Sequence, residues 1–129
     1  MTSAMAKRVL IVDDASFMRN MLREILVTAG YQVVGEASHG VEAVQRHHEL
    51  KPDLTTMDIV MPYKNGVEAT REIVHSDAGA LVVICSALGQ EALVLEALEA
   101  GATDFLVKPF RAEDVLSVVR KVLGEEVAG

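Results

Sequence analysis

Cysteine and basic charge are both scarce in this chain of 129 residues. Its single cysteine, Cys85, excludes an intrachain disulfide and a zinc knuckle, and its place in the apolar run 80–85 favours a small core side chain. Lysine and arginine number 12 against 19 aspartates and glutamates, which gives a net charge of −7. Because nucleic acids and anionic membranes attract basic surfaces, we expect neither as a partner.

Long hydrophobic runs are also missing. The longest strongly apolar run, 80–85, has six residues, whereas a transmembrane helix needs about 20. The run 9–12, which follows Lys7 and Arg8, is too short for the apolar segment of a signal peptide. We therefore expect a protein of the reducing cytoplasm.

The composition is that of one packed domain. Hydrophobic residues make up 50% of the chain and charged residues 24%, and the length suits a single domain. We predict a flexible lead-in over 1–6, a domain over 7–124 and a tail over 125–129, in a monomeric protein.

Short apolar runs alternate with longer stretches of helical periodicity. The sequence predicts strands over 8–12, 31–37, 53–59, 81–86 and 103–107. It predicts a first helix between an N-cap at Ser16 and a C-cap at Gly30, and further helices over 41–50, 67–75, 90–100 and 112–123. Such strand–helix repeats indicate an α/β fold with a doubly wound parallel sheet of five strands and five flanking helices.

The apolar periodicity also predicts which helix faces are buried. The apolar face of the first helix is predicted to carry Phe17, Met18, Met21, Leu22, Ile25 and Leu26. Val41, Val44 and His48 share one side of the second helix. We expect these faces to pack against the sheet.

Chemically useful side chains follow four of the five predicted strands. Asp13 and Asp14 follow the first strand, Asp58 ends the third, Ser86 ends the fourth and Lys108 follows the fifth. Ligands of open α/β sheets bind beyond the carboxyl ends of the strands, so we expect these side chains to meet at one edge. Asp13 and Asp14 alone could merely cap a helix, but two adjacent acids exceed what a cap needs.

A cluster of three carboxylates needs a cation, because each charge raises the pKa of the others. Mg²⁺ suits carboxylate oxygens, water and a phosphate. A carboxylate in such a site can attack phosphorus and form an acyl phosphate. Lys108 would then supply positive charge to the phosphoryl oxygens, and Ser86 a hydrogen bond.

The segments VLIVDDASFMRNML, TMDIVMP, ICSALGQ and DFLVKPF resemble, in this order, the receiver domains of response regulators. The resemblance spans about residues 8–123 and implies a flavodoxin-like sheet in the order 2-1-3-4-5. It implies that Asp58 accepts a phosphoryl group from a histidine kinase. Asp14 and Asp58 would bind Mg²⁺ directly with the backbone carbonyl of Val60, and Asp13 mainly through water.

The same resemblance assigns a switch and an output surface. Ser86 and Phe105 occupy the switch positions, Lys108 is the phosphate-pairing lysine, and the Lys108–Pro109 bond corresponds to a cis peptide. Phosphorylation would reshape the face formed by the fourth helix, the fifth strand and the fifth helix. The chain would then be a regulator rather than a turnover enzyme, with output through a partner because no output domain follows Leu123.

Within this family, the sequence resembles in particular the stand-alone chemotaxis regulators. They imply a chemotaxis histidine kinase, the flagellar motor switch and a phosphatase as partners. In this family, the side chains at the positions of Val60 and Leu88 lie beside the path of the water that hydrolyses the acyl phosphate. Both residues are apolar here, which predicts slow loss of phosphate or the need for a dedicated phosphatase. Phe105 lacks the hydroxyl of a tyrosine, and Lys64 stands where the family usually has an apolar residue.

Other functions fit the sequence less well. A phosphorelay intermediate or a developmental single-domain receiver remains the main alternative. An aspartyl-phosphate hydrolase would need Asp-x-Asp after its first strand, and a flavodoxin would need a phosphate loop that Asp13 and Asp14 would repel. Neither the glycine-rich dinucleotide motif nor the Walker loop is present.

Overall fold

The computed structural model describes residues 6–125 of the chain. All ten predicted elements are present. Their bounds, in chain order, are β1 Arg8–Val12, α1 Ser16–Thr28, β2 Gln32–Ala37, α2 Gly40–Leu50, β3 Leu54–Asp58, α3 Gly66–Ser76, β4 Val82–Ala87, α4 Glu91–Glu99, β5 Asp104–Lys108 and α5 Ala112–Leu123. Most of the predicted lead-in and tail lies outside the described residues, so the domain bounds stay a prediction.

The five strands form one parallel sheet in the order β2-β1-β3-β4-β5, which confirms the predicted fold. All of β3 is buried, because helices cover both of its faces. Within the described residues, no helix is long and apolar enough to cross a membrane.

Two hydrophobic cores hold the sheet between its helices. Leu22 and Leu26 of α1 pack with Val115 and Val119 of α5 on one face. The helices α2, α3 and α4 cover the other face, where Ile73 is fully buried. Full burial of a side chain of this kind contributes about 1.5–3 kcal/mol to the free energy of unfolding. Many such side chains on both faces keep the sheet, and with it the carboxyl ends of its strands, in place.

The start of α1 differs from the prediction. Ser16 is the first residue of the helix rather than its cap, and Ala15 occupies the N-cap position without a side-chain hydrogen bond. Met18, Leu22 and Leu26 of the predicted apolar face are buried, whereas Phe17, predicted to share that face, is 70% exposed. The apolar character of Phe17 misled the prediction, since its neighbour Met18 fills the same role.

The buried face of α2 is shifted by one residue from the prediction. The helix buries Gly40, Ala43 and His47, whereas Val41 is 42% exposed and His48 is exposed. A Cβ on Gly40 would lie 2.1 Å from the backbone oxygen of Lys64. This close approach selects small side chains, which a search for hydrophobic periodicity does not detect.

The connection from β3 to α3 holds the end of β3 tightly. Asn65 caps α3, because its side chain accepts a hydrogen bond from the Glu68 backbone at 2.9 Å, and the Glu68 side chain accepts one from the Asn65 backbone at 3.3 Å. A Cβ on Gly66 would lie 2.1 Å from the backbone oxygen of Asp58. Any larger residue at position 66 would therefore displace Asp58.

We expect Gly66→Ala to lower the free energy of unfolding by about 2 kcal/mol or more, because overpacking forces the backbone to move. The matched control is Gly79→Ala, whose added Cβ would lie no closer than 3.6 Å to any neighbour. That control should stay within about 0.5 kcal/mol of the unaltered protein. Urea denaturation measures both, and equal stability of the two variants would contradict the close approach at Gly66.

Candidate functional site

The structure brings three carboxylates together at the carboxyl edge of the sheet. Asp13 and Asp14 directly follow β1, and Asp58 is the last residue of the neighbouring strand β3. One carboxylate oxygen from each residue lies within 4.8 Å of the others. Asp13 and Asp58 are buried, whereas Asp14 is exposed to solvent.

Lys108, the last residue of β5, reaches across to two of these carboxylates. Its ammonium nitrogen donates to Asp13 Oδ2 at 3.0 Å and to Asp58 Oδ1 at 3.2 Å. Burial alone would lower the pKa of Lys108. The hydrogen bond to Asp13 and the charges of both carboxylates outweigh burial, so the pKa of Lys108 is raised and the ammonium stays charged.

The contact with Lys108 does not fully compensate the negative charge at Asp58. Burial and the negative charge of Asp13 raise the pKa of Asp58 from 3.8 to about 6, against the opposing effect of Lys108. One ammonium therefore does not offset three carboxylates. A hard divalent cation such as Mg²⁺ prefers oxygen ligands of this kind, so the donor set fits Mg²⁺.

The loop that carries Asp13 and Asp14 is held by a residue that the sequence analysis missed. Arg19 of α1 donates from Nη1 to the backbone oxygen of Asp13 at 2.6 Å. The Asp13 carboxylate also accepts from the Ala15 backbone at 2.9 Å. Arg19 lies on the side of α1 that faces this loop, but no sequence motif signals a bond to a backbone carbonyl.

The two predicted switch residues lie on the neighbouring strands β4 and β5, Ser86 near the carboxyl end of β4 and Phe105 near the start of β5. Ser86 is buried, and its hydroxyl donates to the backbone oxygen of Leu106 at 3.4 Å rather than to a carboxylate. Phe105 on β5 is 41% exposed. The Lys108–Pro109 peptide is cis.

An apolar cavity of about 270 Å³ connects these two switch residues. It lies between α4 and β5. Its lining consists of Ser86, Ala87, Glu91, Val94, Leu95, Leu98, Phe105 and Val107. Ser86 thus belongs both to the strand ends of the acidic site and to the cavity beside Phe105.

Exposed apolar side chains occur in the loops that leave β3 and β4. Val60 is 56% exposed and Leu88 is 77% exposed. Lys64, in the loop after β3, forms an ion pair with Glu72 of α3, which accounts for a charged residue at this position. The side chains of Val60 and Leu88 are therefore available to shape access from solvent to the strand ends.

Known proteins resemble this chain in sequence and in fold. Residues 9–120 match the response regulator receiver domain. The chemotaxis protein CheY of Thermotoga maritima is 56% identical over 118 residues, covering 92% of this chain and 98% of that protein. CheY of Bacillus subtilis is 52% identical over 119 residues, covering 92% of this chain and 99% of that protein.

A solved structure agrees with these sequence matches. The crystal structure of the CheX–CheY–BeF₃–Mg²⁺ complex from Borrelia burgdorferi contains a chain that is 38% identical, with a TM-score of 0.85. The match covers 90% of this chain and 88% of that one. Because the family match spans nearly the whole described sequence, the chain belongs to the response regulator receiver domain family.

Proposed function

We propose that this chain is a single-domain response regulator of a two-component system that accepts a phosphoryl group on Asp58 from a histidine kinase in the presence of Mg²⁺. The observation that carries the proposal is the meeting of three carboxylates within 4.8 Å, beside the ammonium of Lys108. The relatives that are named chemotaxis proteins support a role in chemotaxis. The cytoplasm is the proposed place of action.

The residues around the acidic cluster define the proposed Mg²⁺ site. Asp14 and Asp58 would bind the ion directly, together with the backbone carbonyl of Val60, and Asp13 would hold it through water. When bound, the ion supplies positive charge to the phosphoryl oxygens. The structure of a relative with BeF₃ and Mg²⁺ supports this assignment.

The proposed transfer is an attack by a carboxylate oxygen of Asp58 on the phosphorus of a phosphohistidine. The new oxygen–phosphorus bond forms as the phosphorus–nitrogen bond breaks, and the electron pair of that bond stays on the histidine nitrogen. Lys108 already holds Asp58 at 3.2 Å, so its ammonium lies within reach of the transferred phosphoryl oxygens. No net turnover of a substrate follows, and the chain acts as a regulator rather than an enzyme.

Phosphorylation would then change the environment of the switch residues. The Ser86 hydroxyl exchanges the carbonyl of Leu106 for a phosphoryl oxygen, and Phe105 turns into the cavity that it lines. A shift from 1:99 to 99:1 needs about 5.5 kcal/mol. Hydrogen bonds to a charged group contribute about 1.5–3 kcal/mol each, so the contacts of Ser86 and Lys108 together supply much of this.

The output surface would be the face of α4, β5 and α5. Leu95 on α4 and Val107 on β5 are exposed beside the cavity. The proposed partners are a chemotaxis histidine kinase, the flagellar motor switch and a phosphatase. The CheX–CheY complex of a relative supports the existence of a partner that binds this fold. A phosphorelay intermediate or a developmental receiver would use the same acceptor chemistry with another partner.

Incubation with Mg²⁺ and a small-molecule phosphodonor should add one phosphoryl group to the unaltered protein. Asp58→Asn should add none, because an amide cannot form the acyl phosphate. Removal of Mg²⁺ should also prevent the addition. Intact-mass spectrometry measures all three, and an unmodified wild-type protein would contradict the proposed acceptor chemistry.

Asp58→Asn should stabilise the fold in the absence of metal. The pKa of Asp58 is about 6 in the folded protein against 3.8 for an ordinary aspartate, so the folded state binds more protons between these values. The contribution of Asp58 to the free energy of unfolding therefore falls as pH rises through this window, and it is lost above about pH 6. We expect Asp58→Asn to gain about 1–3 kcal/mol at neutral pH in EDTA and to gain nothing near pH 3.

Urea denaturation at both pH values measures this effect, with Glu99→Gln as the control for removal of an exposed carboxylate. Glu99→Gln should change stability by less than about 0.5 kcal/mol at either pH. Saturating Mg²⁺ should stabilise the unaltered protein more than Asp58→Asn, because the ion binds the carboxylate. A pH-independent gain in Asp58→Asn would contradict the electrostatic explanation.

Polar residues at positions 60 and 88 should shorten the lifetime of the acyl phosphate. Val60→Asn combined with Leu88→Asn should speed phosphate loss several-fold, since both side chains are exposed at the strand ends and their replacement leaves the core intact. The control is Val27→Asn, an equally small change on α1, where Val27 is 51% exposed. Decay of the phosphorylated mass with time measures each rate, and unchanged lifetimes would refute the role of Val60 and Leu88.

A further inference from the structure

Arg19 connects the loop that carries Asp13 and Asp14, here called the acidic loop, to the edge strand β2. Its Nη1 donates to the backbone oxygen of Asp13 at 2.6 Å, and its Nε donates to Glu36 Oε1 at 2.9 Å. The Arg19 side chain is only 19% exposed. A rigid planar guanidinium that binds two acceptors at once fixes their separation.

Glu36 is itself held firmly in place. It lies in β2 opposite Ile11 of β1, and its second carboxylate oxygen accepts from Arg23 Nε at 2.9 Å. Burial would raise the pKa of Glu36, but the hydrogen bonds from Arg23 and Arg19 outweigh it and lower the pKa. The carboxylate therefore stays charged at neutral pH and keeps Arg19 oriented.

The peptide group that Arg19 holds is the one that joins Asp13 to Asp14. The backbone nitrogen of Asp13 donates to the Ala37 oxygen at 3.0 Å, so the residue is also held from β2. Because a peptide group is planar, fixing the carbonyl of Asp13 also fixes the direction in which Asp14 leaves the strand. Among the described residues, no hydrogen bond restrains the carboxylate of Asp14 itself.

We propose that Arg19 is a positioning residue that sets the direction of Asp14, and with it the geometry of the Mg²⁺ site. This inference rests on the proposed function, because it assigns a role toward the ion that Asp14 would bind. Arg23 shares the partner Glu36 but donates to no atom of the acidic loop. The two arginines are thus a matched pair in which only Arg19 touches the loop.

Charge and positioning predict opposite effects at this residue. Arg19 is a cation near the acidic cluster, so its positive charge repels Mg²⁺. Removing that charge should strengthen Mg²⁺ binding if electrostatics alone acts. Removing the hydrogen bond to Asp13 should weaken binding if position decides. The sign of the change therefore separates the two explanations.

The test compares Arg19→Gln with Arg23→Gln, using titration calorimetry with Mg²⁺ alone. We expect Arg19→Gln to weaken Mg²⁺ binding by about tenfold, as loss of a residue that orients a metal ligand does. Arg23→Gln should stay within about twofold of the unaltered protein. Arg19→Lys keeps the charge and one donor, so its affinity should fall between those of the unaltered protein and Arg19→Gln.

A second measurement needs no metal. In EDTA, the backbone amide of Ala15, which donates to the Asp13 carboxylate, should exchange with solvent faster in Arg19→Gln than in Arg23→Gln. Equal or tighter Mg²⁺ binding by Arg19→Gln, or equal loss in both variants, would overturn the inference. Failure of the unaltered protein to bind Mg²⁺ would instead overturn the proposed function, and Ala15 exchange would still decide whether Arg19 holds the loop.

Discussion

The contact of one ammonium with two buried carboxylates is the interaction on which the site depends. Asp13 and Asp58 follow or end adjacent parallel strands, so the hydrogen-bonded sheet forces their carboxylates together. Burial and repulsion from Asp13 together raise the pKa of Asp58, because Lys108 offsets them only in part. A cluster that destabilises the empty fold binds cations more strongly for the same reason, because a cation relieves the repulsion. The unfavourable electrostatics of the free protein and the proposed chemistry are thus two consequences of one arrangement.

The order and type of the elements could be predicted because a parallel sheet strongly constrains its sequence. The inner strand β1 is buried on both faces and therefore reads as a continuous apolar run. Which residues of a helix face the sheet was harder to predict. Val41 is more hydrophobic than Gly40, yet Gly40 is buried, since only a residue without a Cβ fits against the Lys64 backbone. Close approach of two backbones requires glycine, and a pattern of hydrophobic residues cannot predict where such an approach occurs.

Much of the site was predictable for a topological reason. Asp13, Asp58 and Lys108 are far apart in sequence, but the carboxyl ends of parallel strands share one edge, so position in the repeat is enough to bring them together. Arg19 was not predictable in this way. Its acceptor is a backbone carbonyl, which every residue carries, so the sequence cannot show which one it binds. Side-chain pairs leave a signature in the sequence, whereas contacts to the backbone become visible only in the folded chain.

The same limit applies to Ser86, whose position was predicted but whose hydrogen bond was not. Its hydroxyl donates to Leu106 at 3.4 Å, which is long for a bond between a hydroxyl and a carbonyl. Breaking so long a bond costs less than breaking one of ordinary length, whereas a hydrogen bond to a charged oxygen contributes about 1.5–3 kcal/mol. Ser86 pairs with Val107 in the β4–β5 ladder, and both residues line the cavity beside Phe105. Under the proposed mechanism, rotation of one buried hydroxyl is therefore enough to connect the acidic site to the face of α4 and β5 without rearranging the sheet.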